Sequence, residues 1–188
     1  MITLEFSLSK ILGVLIALIL MFAYPLYQQA QRQDTLSQIV VHSAVTEFVD
    51  AARTKGYITP AMYSDLTRKL GATGNQYEIK MEHLHKKYHP VYTDPADSKT
   101  FKDSFTTYFD GHYTDEIMKR LFPNNSLGLE DNNRRYFMGE GDFFTVKAKN
   151  INRTMATVLQ DFFLNGNTGD NTRVYMPYGG MILNEDYV

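Results

Sequence analysis

The stretch Met1–Pro25, MITLEFSLSKILGVLIALILMFAYP, decides how this chain is built. From Ile11 to Tyr24 fourteen residues run without a charge or a strongly polar side chain. With the weakly polar flank from Phe6 and the exit through Leu26 and Tyr27, the run reaches about 20 residues, enough to cross a hydrocarbon core. A cleavable secretory signal fits poorly, because no basic segment precedes the run and no small-x-small site follows it. Glu5 is the residue out of place. A carboxylate at the mouth of a span is tolerated among headgroups or at the positive end of its own helix dipole. In a bundle of like helices it needs a cation. Lys10, five positions on, does not share its face. The amino group of a neighbouring copy would serve, provided the mature chain begins at Met1.

Past the span the polar run QQAQRQD (28–34) begins, yet helical periodicity continues. Leu36, Ile39, Val40, Ala44, Val45, Phe48, Val49 and Ala52 follow i, i+3, i+4, i+7 spacing, and Gly56 is the natural stop. Residues 1–55 are therefore expected to form one long helix of two chemistries, apolar all round over 1–27 and amphipathic over 28–55. Pro25 falls near the junction. It lacks the backbone N–H and clashes with the preceding turn, so a kink or local melting is expected there.

Residues 56–188 read as a single small globular α+β head with a short antiparallel sheet. Thr59-Pro60 starts a helix that carries Met62, Leu66 and Leu70 on one face until Gly71. After the turn GATGN, the segment YEIKMEHLH (77–85) alternates as a strand does. Phe101, Phe105, Tyr108 and Phe109 suggest a short helix, as does TDEIMKRLF from Thr114. DFFTVKAKN (142–150) reads as a strand and INRTMATVLQDFF (151–163) as a helix. RVYMPYGGMIL (173–183) reads as a hairpin turning at Gly179-Gly180. The segments 121–133 and 165–171 are turn-rich and are expected to be exposed loops.

The formal net charge of -2 gives no basic field for nucleic acid, and the absence of cysteine removes disulfides and thiolate chemistry together. Thirteen Tyr and twelve Phe supply aromatic bulk for a core or for subunit contacts. No nucleophile elbow, phosphate loop, HExxH or GxGxxG occurs, so the chain is not expected to be an enzyme or to need a cofactor. Asp65, Asp103 and Asp110 offer no paired-carboxylate spacing. On a strand, His83 and His85 of EHLHKKYHP would share a face, and with His89 they are the candidate metal ligands. Lys86 and Lys87 beside them would oppose a cation, and the preferred reading is three structural histidines on a polar strand edge. Two sequons, at Asn124 and Asn152, are candidate glycosylation sites, the second the weaker because it opens a helix.

Taken together, Met1, Glu5, Pro25 and the stripe ending at Ala52 resemble the mature N-terminus of type IV pilins and pseudopilins. Met stands here where Phe is commoner, and Pro25 lies slightly later than the family's proline. The lack of a cysteine-bounded loop places the chain nearer to pilin-like proteins of Gram-positive or Tad-type systems. The resemblance covers the first 55 residues only. It implies a leader removed before Met1 by a prepilin peptidase, an amine that is often methylated, and a precursor held in the membrane. It further implies a helical homopolymer at the cell surface, with Glu5 paired to the terminal amine of an adjacent subunit and Pro25 permitting local melting. The alternatives are a minor pseudopilin of a secretion, uptake or conjugation machine, and a bitopic membrane protein with an outer ligand-binding domain.

Overall fold

The computed structural model describes residues 2–124, 128–164 and 172–185, with the backbone alone for residues 2–8 and 164. Helix α1 (Ile2–Lys55) is a single α-helix, about 80 Å long at 1.5 Å per residue. It runs through Pro25 without interruption, so the local melting expected there is absent from this structure. One missing N–H removes one bond to the carbonyl of Met21, and the flanking turns keep their own.

The two halves of α1 differ in what surrounds them. From Ile11 to Leu26 the large apolar side chains are 48–69% exposed, and the helix is long and apolar enough there to cross a membrane. In the second half Ala30, Ser37, Val41, Ala44, Val45, Phe48, Val49 and Ala52 are buried against the head. The expected stripe is corrected at its start, because Leu36, Ile39 and Val40 face outward. Consecutive residues lie about 100° apart around a helix, so the head covers the row through Ser37 and Val41 and leaves the adjoining row open. Ser37 is accommodated inside by a hydrogen bond from Asn75 Nδ2 (3.4 Å).

Gly56 ends α1 as expected. Its φ is +71°, its N–H donates to the Ala52 carbonyl (2.9 Å), and a Cβ there would lie 2.3 Å from Asn184 Oδ1. Residues 183–185 cap the last turn, donating their N–H groups to the carbonyls of Arg53 and Thr54. Strand β1 (Tyr57–Ile58) follows, then helix α2 (Pro60–Gly71), whose Thr59 cap accepts from the Met62 N–H (3.2 Å). Leu66 and Leu70 of α2 enter the core beside Phe48 and Val49.

The main sheet has four antiparallel strands in the order β3-β2-β5-β6: β2 (Tyr77–Tyr92), β3 (Phe101–Tyr113), β5 (Phe143–Asn150) and β6 (Tyr175–Met181). The short β4 (Tyr136–Phe137) pairs with β1. Helices α3 (Thr114–Leu121) and α4 (Met155–Leu164) complete the head. Along β5, Phe144, Val146 and Ala148 are buried by alternation, and Phe144 meets Phe48 of α1 with ring centroids 6.2 Å apart.

Four further expectations are corrected. The aromatic segment at 101–109 is strand β3 rather than a helix, since pairing with β2 satisfies its backbone and Thr106 and Thr107 suit a strand. Strand β2 itself continues past His85 to Tyr92, and Pro90 is tolerated because β5 has already left that side. Residues 173–183 do not form a hairpin: Gly179 and Gly180 lie within the single strand β6. A Cβ on Gly180 would stand 2.7 Å from Arg53 Cζ, and one on Gly179 2.7 Å from the Phe144 carbonyl oxygen. These glycines serve close approach, with Arg53 Nε donating to the Met181 carbonyl (2.8 Å). Helix α4 also starts later than Ile151, at Met155, with the buried Thr154 Oγ1 accepting from the Thr157 N–H (3.3 Å).

Candidate functional site

Two features stand out among the described residues, the apolar half of α1 and a polar cluster in the head. Of the residues assigned to subunit assembly, Pro25 is exposed on the helix. Glu5 is placed by its backbone near the start of α1, while its side chain and all of Met1 lie outside the described residues.

The cluster is built from three separate segments. His83 and His85 project from one face of β2, and Asp142 enters from the turn that leads into β5. That turn is tight and well tied: the Asp142 N–H donates to the Gly139 carbonyl (3.1 Å), and Gly141 takes φ +82° at the third position. The Gly141 N–H and the Asp142 carbonyl exchange bonds with Ile182 beyond β6 (3.1 and 2.8 Å). The carboxylate is thus delivered to the histidines by a rigid corner.

Asp142 is 1% exposed and surrounded by donors. Oδ2 accepts from His83 Nε2 (2.8 Å), His85 Nδ1 (3.0 Å) and the Gly139 N–H (2.7 Å), and Oδ1 accepts from the Lys86 N–H (2.8 Å). Burial raises its pKa, but the bonds from His85, Lys86, His83 and Gly139 outweigh burial and hold it below the ordinary carboxylate value. His83 is equally enclosed. Burial pushes its pKa below the usual imidazole value, against the opposing pull of Asp142, so its ring is neutral near pH 7. With Nε2–H aimed at Asp142, Nδ1 is left to accept from the Tyr136 hydroxyl (2.8 Å). Burial, with smaller effects from Glu116 and Asp142, pushes that phenol up to about 12. His112 stacks on the His83 ring at 5.6 Å and holds Glu116 through Nδ1 (2.6 Å).

One part of the sequence reading of these histidines, their place on a strand edge, is corrected at His83. His83 does not lie on a sheet edge, because β2 is paired at that residue with β3 on one side and β5 on the other. His83 and His85 do share a face as expected, but His89 is exposed and about 13 Å further along the strand, outside the cluster. The lysines that were to oppose a cation are directed elsewhere. Lys87 Nζ binds Asp110 (2.6 Å), and Lys86 Nζ lies over the Tyr88 ring at 5.3 Å. Asp142, Tyr136 and His112 were not legible as partners. The only local signal was the pair of glycines before Asp142, which marks a turn and not a ligand.

Among the remaining candidates, Asp65 binds Arg68 and Lys69 on the exposed face of α2. Asp103 takes φ +51° where β3 bulges against β2. Asn124 is exposed, with the rest of its sequon outside the described residues. Asn152 is engaged instead: Oδ1 accepts from the Gln76 N–H (2.8 Å), and Nδ2 donates to Asn75 Oδ1 (3.0 Å). The Thr154 of that sequon is buried and donates to Asp34 (2.8 Å).

No protein-family model, no curated protein and no solved structure matches the chain. The architecture, a long N-terminal apolar helix on a small sheet-containing head, is compatible with a pilin-like fold.

Proposed function

We propose that this chain is a structural subunit of a type IV pilus-like filament, held in a membrane before assembly and displayed at the cell surface afterwards. One observation carries the reading. A single helix joins an apolar stretch, Ile11 to Leu26, whose large side chains stand exposed among the described residues, to an amphipathic half built into the core of the head. In water such an apolar surface is untenable, so it is covered by lipid or by copies of itself. The outward row of Leu36, Ile39 and Val40 extends that uncovered surface along the head-bearing half, where a neighbouring helix in a filament would pack.

In this reading Glu5 pairs with the amino terminus of an adjacent subunit, setting register while neutralising a charge removed from water. The head acts through assembly and display, with no catalytic step. Glu5→Ala is expected to abolish filaments seen by electron microscopy while the membrane-held protein stays at its normal level. Filaments of ordinary length and number in that variant would sink the pairing role. A second reading is a bitopic membrane protein whose outer domain binds a ligand or metal, and the histidine–aspartate cluster favours it. There Glu5→Ala changes neither abundance nor partners, and the wild-type chain forms no fibres.

A further inference from the structure

We propose that His83, His85 and Asp142 bind one divalent first-row transition metal ion of the zinc type, through Nε2, Nδ1 and a carboxylate oxygen. This holds whether or not the chain assembles into filaments. The three donor atoms lie within 4.8 Å of one another. Two imidazoles and one carboxylate form a borderline donor set that suits zinc and its neighbours rather than calcium or magnesium, which take oxygen. Donors around a tetrahedral zinc at about 2.0–2.1 Å stand about 3.3 Å apart. To reach that spacing the two edges now closed by hydrogen bonds of 2.8 and 3.0 Å to one carboxylate oxygen open by less than about 1 Å, and the two ring nitrogens, within 4.8 Å of each other, adjust toward it.

The surroundings fit a ligand set better than a purely structural contact. Each buried ligand has its outer partner: Tyr136 on His83 Nδ1, and the Lys86 N–H on Asp142 Oδ1. Metal binding at His83 Nε2 requires the ring proton to sit on Nδ1. The Tyr136 hydroxyl then changes from donor to acceptor, which a phenol can do and a lysine or amide N–H cannot. At His85 the proton moves to Nε2. The His85 side chain is 41% exposed against 4% and 1% for the other two, leaving an access path and room for a water as fourth ligand. Lys87, on the same face of β2, is already paired with Asp110 (2.6 Å) and is drawn away from the cluster.

The test uses the full chain, purified in detergent micelles without a polyhistidine tag and stripped with a chelator. Zinc is then added in calorimetry and thermal unfolding, and cobalt in visible absorption. The expected result is one zinc per chain, a zinc-dependent rise in Tm, and a cobalt spectrum of the four-coordinate kind displaced by zinc. Asp142→Asn and His85→Ala are expected to weaken binding by about a hundredfold or more, Tyr136→Phe by about ten- to a hundredfold, and His89→Ala not at all. Because His85 is half open to solvent, its variant keeps the fold and decides the matter should Asp142→Asn unfold. The proposal is overturned if the wild type takes up no stoichiometric zinc, if binding survives unchanged in His85→Ala, or if His89→Ala weakens it equally. In those cases the three residues form a hydrogen-bonded network and nothing more.

Discussion

Phe22 and Phe48 sit on one helix, the first 67% exposed and the second 5%. Both are helical for the same local reason, a run of residues without Gly and with apolar side chains that tolerate the helix. Their energetic roles are unrelated. Phe48 is held against Phe144 and α2 by the rest of the chain, whereas Phe22 stands exposed on the apolar stretch of its helix. A helix can therefore be continuous in geometry and divided in what stabilises it.

The sharpest way to break this comparison is to truncate both rings. Phe48→Ala is expected to cost the head about 3–5 kcal/mol, while Phe22→Ala stays within about 0.5 kcal/mol. Denaturant unfolding in detergent micelles, followed by tyrosine fluorescence, measures both. Equal losses would show that the apolar half packs on the head after all. Next in size is a charge in the span: Leu18→Arg is expected to cost about 3 kcal/mol in membrane insertion and to move protein from the membrane to the soluble fraction. The head's unfolding midpoint should not follow it. A shift in that midpoint would contradict the division.

Within the head the effects are smaller. Gly179→Ala places a methyl against the Phe144 carbonyl and Thr145, so a loss of about 1–3 kcal/mol is expected, with weaker amide protection along β6. A neutral outcome would mean that β6 can slide on β5, and that the docking of β6 on the buried half of α1 is looser than the Arg53 bond suggests. Smallest is Thr59→Ala, which removes one cap and is expected to cost about 1 kcal/mol. Circular dichroism during thermal unfolding reads it, and no loss at all would mean that packing of Leu66 and Leu70 alone defines the start of α2.

The legible parts of the fold are those whose cause is local. The apolar run and its amphipathic continuation, the Gly56 stop, the Thr59-Pro60 start and the alternation from Tyr77 all depend on neighbours within a turn or two. The segment at 101–109 misled because aromatics at helical spacing are equally at home in a strand, and the choice was made by β2. Gly179-Gly180 misled in the same way: turn propensity yielded to the room that Arg53 and the Phe144 carbonyl require.

The candidate site divides along the same line. That His83 and His85 share a face follows from the two-residue period of a strand, and the sequence by itself determined it. So did the existence of a membrane-length helix bearing Glu5 near its start. The arrival of Asp142, 59 residues from His83, was decided only by the tertiary structure, through the pairing of β2 with β5 and the Gly139–Asp142 turn. The burial that keeps His83 neutral arose at the same step. Hydrophobic periodicity is a property of a few adjacent residues, whereas converging polar groups and the water they lose belong to the assembled chain.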